Sequence, residues 1–239
     1  MTQHGRSSAL ILGALLALGL AALGYQIGET ALRVKQLDRS VTVKGLSEQE
    51  HPADIVIWPI QFAVAGNELG ELYAGIDEGV AKVMAFLTAN GIDGGDISRA
   101  PPAVTDKSAQ QYGGGDRGEF RYTALQAVTV YSRDIAGVRQ VMSRLSELGR
   151  QGIAVTGGDY QAQTQYLFTR LNEVKPAMIE EATRNARAVA EKFAADSDSR
   201  LGKIRSAAQG QFSIEDRDAN NPHIKKVRVV STVEFYLAD

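Results

Sequence analysis

The side chains that most often carry chemistry are sparse in this sequence. There is no cysteine among its 239 residues, which removes thiol nucleophiles, disulfides and every Cys-ligated metal site. Histidine occurs at His4, His51 and His223, and no two of these have the helical or hairpin spacing that brings two imidazoles to one metal ion. Each is expected in an exposed loop or turn. The run Gly113-Gly114-Gly115-Asp116-Arg117-Gly118 lacks the Lys-Ser/Thr and the following helix of a phosphate-binding loop, and reads as a flexible connector. Gly157-Gly158-Asp159 reads as a bend or bulge. Carboxylates gather at Glu215, Asp216 and Asp218 around Arg217. With Asn220 they have part of the spacing of a calcium loop, but no central glycine and no closing bidentate glutamate follow. A solvated hairpin loop is the expectation there. No GxSxG elbow occurs, and no serine has an evident histidine partner. The sequence therefore offers no catalytic, cofactor-binding or metal-ligating residue, and no cofactor. The expectation is a protein that is not an enzyme.

The elements that would have to position any site alternate between strands and helices. Val41–Gly45 reads as a short strand ending in a turn. Asp54–Ala65 (DIVIWPIQFAVA) is rich in β-branched and aromatic residues, with Pro59 placing it at a sheet edge or bulge. Trp58 belongs to core packing in this reading. Asn67 is suited to cap a helix whose apolar positions Leu69, Leu72, Tyr73, Ile76, Val80, Val83, Met84 and Leu87 follow the 3.6-residue period. Asn90-Gly91 ends it in a left-handed cap. Ile97–Thr105 is a weaker strand interrupted by Pro101-Pro102, and Glu119–Ser132 a better one. Asp134–Leu148 reads as a short helix.

Strand Ile153–Tyr166, helix Asn172–Ala195, strand Lys203–Ile214, loop 215–224 and strand Lys225–Leu237 complete the order. In the long helix Pro176 is expected in the first turn, and Ile179, Ala182, Ala186, Val189, Ala190 and Phe193 form the buried stripe. The order implies an α+β fold: two βαββ-like halves, mostly antiparallel sheet with helices packed on one face, preceded by one N-terminal apolar helix.

Composition narrows the class. At 44% hydrophobic and 23% charged residues the chain is an ordinary globular mixture rather than a disordered one. The net charge of −2 argues against nucleic acid as a partner. Residues 1–39 carry Arg6, Arg33, Lys35 and Arg39 against Glu29 and Asp38, which leaves the remaining 200 residues at −4. Ala9–Gly28 is an uncharged run of 20 residues, about 30 Å long as a helix and sufficient to cross a bilayer core. Two readings stand. Residues 1–28 are an uncleaved signal anchor, which the length of the run favours, or a signal peptide cleaved near Gly24 after Ala22-Leu23. Residues 29–40 follow as a juxtamembrane linker. The cations after the run oppose the usual charge bias for export, so orientation is not read from charge alone.

The stretches VTVKGLSEQEHPADIVIWPIQFAVAGN (41–67), FTRLNEVKPAMIEEATRNARAVAEKFAADSDSRLGKIRSAAQGQFSIEDRD (168–218) and KKVRVVSTVEFYL (225–237) resemble SIMPL-domain proteins. The resemblance runs over nearly all of 41–237 and makes 41–239 one SIMPL-like domain. It implies the exported, envelope-associated bacterial branch of that family, some of whose members assemble into large homo-oligomeric rings or are linked to oxidative-stress defence. It supplies no catalytic residue to transfer. The resulting expectation is a bacterial inner-membrane protein with a single N-terminal span at residues 9–28 and a periplasmic C-terminal domain. It is a homo-oligomeric assembly or interaction protein, with an unidentified envelope protein as a possible further partner. Without cysteine, any stress role is not direct thiol chemistry. The alternative is a periplasmic small-molecule-binding protein or enzyme that uses the loops 106–118 and 215–224.

Overall fold

A helix that is apolar all round must bury itself in something other than water. Among the described residues nothing covers the N-terminal helix α1 (15–30): Leu16, Leu20, Leu23 and Ile27 are between 56% and 62% exposed. The computed structural model describes residues 13, 15–30, 39–109, 119–156 and 163–238. Among these residues no helix is long and apolar enough to cross a membrane. Over its described range α1 extends about 24 Å, and residues 9–12 and 14 of the expected span lie outside the described residues, as do linker residues 31–38.

The remaining elements are β1 (Ser40–Pro52), β2 (Ile55–Gly66), α2 (Leu69–Ala89), β3 (Ile97–Arg99), β4 (Ala103–Asp106), β5 (Tyr122–Ser132), α3 (Ile135–Ser143), α4 (Ser146–Arg150), β6 (Gln165–Leu167), α5 (Leu171–Asp196), β7 (Arg200–Gln209), β8 (Ser213–Asp216) and β9 (Ile224–Ala238). The fold is α+β with two mostly antiparallel sheets. The chain forms two compact units. One draws on Met1–Glu48, Lys175–Phe212 and Arg228–Asp239; the other is Gln49–Val174 with Ser213–Val227.

In the Gln49–Val174 unit the sheet order is β3-β5-β2-β6, with β4 also on β5. β2 and β5 pair without interruption from Val56↔Ser132 to Gly66↔Tyr122. Period-two alternation sends Val56, Trp58, Ile60 and Phe62 to one side. There they pack with Val128 and Val130 of β5 and with Leu72, Ile76, Val80, Val83 and Leu87 of α2. The exception is Gln126, buried on this same face; its Nε2 donates to the Ala100 carbonyl at 2.7 Å and holds the break at Ala100–Pro102 that separates β3 from β4. The opposite face bears Ile57, Pro59, Gln61 and Ala63 of β2 and Thr123, Leu125, Ala127, Thr129 and Tyr131 of β5. None of these is charged. Pro59 falls between the Ile57↔Gln165 pair and the isolated Phe62↔Val155 bridge, where its missing N–H has no ladder to interrupt.

In the other unit β9 lies between β1 and β7, and α5 covers the sheet through Met178, Ala182, Ala186, Ala190 and Ala194. This stripe is narrower than the expected one. Val189 and Phe193 are 38% and 55% exposed. The reason is close approach: a Cβ on Gly45 of β1 would strike the Ala182 carbonyl and the Ala186 backbone N, so alanines occupy the stripe where the strand runs against the helix, and Val189 and Phe193 turn outward.

The structure corrects several expectations. The repeated order is present, but the segment Ile153–Tyr166 does not open the second repeat. Among the described residues it supplies only an isolated bridge at Val155 and β6, which pairs with β2. The strand that opens the second repeat is β1, so the two repeats are β2-α2-β3-β4-β5 and β1-α5-β7-β8-β9. β1 runs through the expected turn to Pro52. Residues 134–148 form two helices, and 203–214 form two strands parted by Gly210–Phe212. Pro176 is the sixth residue of α5, within its second turn. Glu68 takes the N-cap position of α2 without a side-chain bond; Asn67 instead accepts from the Arg121 N–H at 2.8 Å. Gly91 has the expected left-handed backbone, φ 86°.

Candidate functional site

His51 closes β1, and His223 stands immediately before β9. Between them lies β6, whose period-two spacing sets Tyr166 and the following Phe168 on one side. The His51 ring stacks on Phe168 with centroids 5.2 Å apart, and the His223 ring meets Tyr166 edge-on at 6.0 Å. Both aromatics are 8% exposed. From α3, Arg139 places Nη1 3.2 Å from His223 Nε2. A guanidinium only donates, so Nε2 accepts and the imidazole is neutral with its proton on Nδ1. Burial lowers the His223 pKa, and the Arg139 and Arg217 charges lower it further, against a smaller opposing effect of Asp218. Burial likewise raises the Tyr166 pKa.

The neighbouring carboxylates serve the chain itself. Asp54 accepts from the Thr169 N–H at 2.9 Å and from its hydroxyl at 3.0 Å, and Arg170 approaches at 3.4 Å. This clamp fixes the turn that leads into α5. The His223 carbonyl receives the Ala53 N–H at 2.9 Å, which pins the β1–β2 corner to the start of β9.

The acidic loop predicted around Arg217 is equally committed. Asp216 pairs with the buried Lys225. Asp218 accepts from the backbone N–H groups of Asn220 and Asn221, each at 2.9 Å, and from Arg217 Nε at 2.9 Å. Arg217, first among these partners, holds the Asp218 carboxyl below its ordinary range. The spacing that suggested part of a calcium loop is used for a turn. Among the described residues no group of three or more His, Asp or Glu is placed to hold a metal ion.

The glycine-rich run 113–118 lies outside the described residues, as do His4 and Gly157-Gly158-Asp159. The base of the 106–118 loop is described. Arg121 donates to Asp106 at 2.9 Å and holds that carboxyl down to about 2, and the Lys107 N–H reaches the Arg121 carbonyl. Trp58 is buried in the core of its sheet.

Sequence reading placed His51 and His223 in unrelated loops; the fold brings both to β6. It passed over Tyr166, Phe168, Arg139 and Asp54. The available signal was the aromatic i,i+2 pair at 166 and 168, which alternation assigns to one side of a strand. The arrangement can hold a neutral imidazole against a cation and an aromatic wall. It contains no nucleophile–base pair. A family model described as SIMPL, protein of unknown function (DUF541), matches residues 41–235. No curated protein matches the chain.

Proposed function

The chain belongs to the SIMPL family, and from that premise we propose that it is a non-enzymatic envelope protein. In this reading residues 9–28 hold it to the bacterial inner membrane, the folded part lies in the periplasm, and it works by assembling with copies of itself. The observation that carries this is α1: its residues 15–24 are all leucine, alanine or glycine and every described residue of the helix is exposed, which suits an apolar phase that no other described residue provides. The absence of thiols excludes direct thiol chemistry from any contribution to stress defence.

The test is a C-terminal alkaline phosphatase fusion to the full chain, with alkaline extraction of membranes. An active fusion retained in the membrane pellet, and released when residues 1–28 are deleted, is the expected result. An inactive fusion overturns export. Loss from the pellet with residues 1–28 still present overturns anchoring.

A second reading is ligand binding beside the 215–224 loop, favoured by Arg139, which turns its guanidinium to an imidazole rather than to a carboxylate. Thermal shifts with small anions test it, since a ligand at 100 times its Kd adds about 2.7 kcal/mol.

A further inference from the structure

The two sheets differ in what their uncovered faces carry. On the sheet of β1, β9 and β7 the face away from α5 holds both signs of charge, including Lys44, Glu48, Arg228 and Glu234. The face of the β2–β5 sheet away from α2 holds none. It is apolar or neutral from strand to strand, and it is open: Tyr131 is 48% exposed, Leu125 40% and Leu167 38%. We infer that this face is where two copies of the chain meet, sheet against sheet. The inference rests on the self-association proposed above and names its surface.

Three features select a second copy as the occupant. A two-fold interface sets a patch against itself, so every charge near the axis meets its own like. A face without charge escapes that repulsion. The area also fits. Eleven paired positions of β2 and β5 extend about 36 Å, and with the short flanking strands β3, β4 and β6 at about 4.8 Å spacing the face covers about 500 Å². Two such faces together bury about 1,000 Å², the lower bound for a specific interface. Finally, open sheets pack face to face about 10 Å apart with interdigitating side chains. Leu125, Tyr131 and Leu167 supply projecting apolar groups, while Gln61 and Thr129 supply neutral hydrogen-bonding ones.

The chain has no cysteine, which makes a single introduced thiol diagnostic. Ala127→Cys lies at the centre of the face and changes volume little. Tyr73→Cys, 49% exposed on α2, is the control. Each full-length variant is treated in native membranes with a bis-maleimide of about 10 Å span. The native mass of the unsubstituted full chain is measured in detergent by sedimentation. The expected result is a multimer in sedimentation, with Ala127→Cys trapped as a homodimer at least ten times more efficiently than Tyr73→Cys. A multimer in which the two variants cross-link equally, or in which Ala127→Cys joins a different protein, overturns this face as the self-interface and leaves self-association standing. A monomer in sedimentation with no homodimer trapped overturns both.

Discussion

His223 is the residue on which proton concentration acts most directly. Its imidazole accepts a hydrogen bond from Arg139 at 3.2 Å, and burial leads the causes that keep its pKa below the ordinary histidine value. Between that ordinary value of about 6.5 and the depressed one, the unfolded chain binds a proton that the folded chain refuses. The stabilisation is therefore complete above about pH 6.5 and is lost as pH falls through the depressed pKa. His223→Gln is expected to flatten the decline of Tm between about pH 6.5 and 5, where carboxylates titrate little. Thermal melts across this range check it, and parallel curves for variant and parent would refute it. Two aspartates respond lower down. Asp106 and Asp218 are held below the ordinary carboxyl range by Arg121 and Arg217, so what they stabilise is present above about pH 4 and fades below it.

At the scale of the element, both helix–sheet contacts depend on a missing side chain, but from opposite sides. Gly45 is on the strand and faces the backbone of α5, whereas Gly79 is on α2 and faces the Phe62 ring. Backbone cannot step aside as a ring edge can. Gly45→Ala is expected to cost about 3 kcal/mol or more, lowering Tm by about 6–12 °C. Gly79→Ala is expected to cost less, because alanine recovers about 1 kcal/mol of helix propensity. Calorimetry on both variants tests the contrast; equal losses would show that α5 can move off its sheet.

The same contrast explains what sequence reading could see. α2 buries large residues at helical period, and β2, β5 and β9 alternate cleanly, so their places were legible. β1 inserts Gly45 and Ser47 where a hydrophobic signal would be, and Ser47 is committed to Glu181 at 2.8 Å. Its second half therefore looked like a turn. The α5 stripe differs from its sequence pattern for the same reason: hydrophobicity favours Val189 and Phe193, while the close approach of Gly45 selects alanine at 182 and 186. The pairing of His51 and His223 with β6 joins segments far apart in the chain, and no local pattern encodes it.

For the whole molecule, the consequential feature is that the first strand and the last are neighbours: the Leu237 N–H bonds the Arg39 carbonyl at 2.8 Å, and β1 has β9 as its sheet partner. Synthesis runs from the N-terminus at about 5–20 residues per second, so β1 waits about 10–40 s for a strand that has not yet been made. The core cluster of its unit among the described residues is Val43, Ala186, Ala190, Val233 and Phe235, and two of those five residues belong to β9. Truncation after Val227 is expected to leave α5 sensitive to limited proteolysis while β2 and β5 stay protected; uniform protection would contradict this. The geometry thus makes closure of this unit wait for β9: a chain that lacks it carries β1 and α5 without the strand that joins β1 to β7.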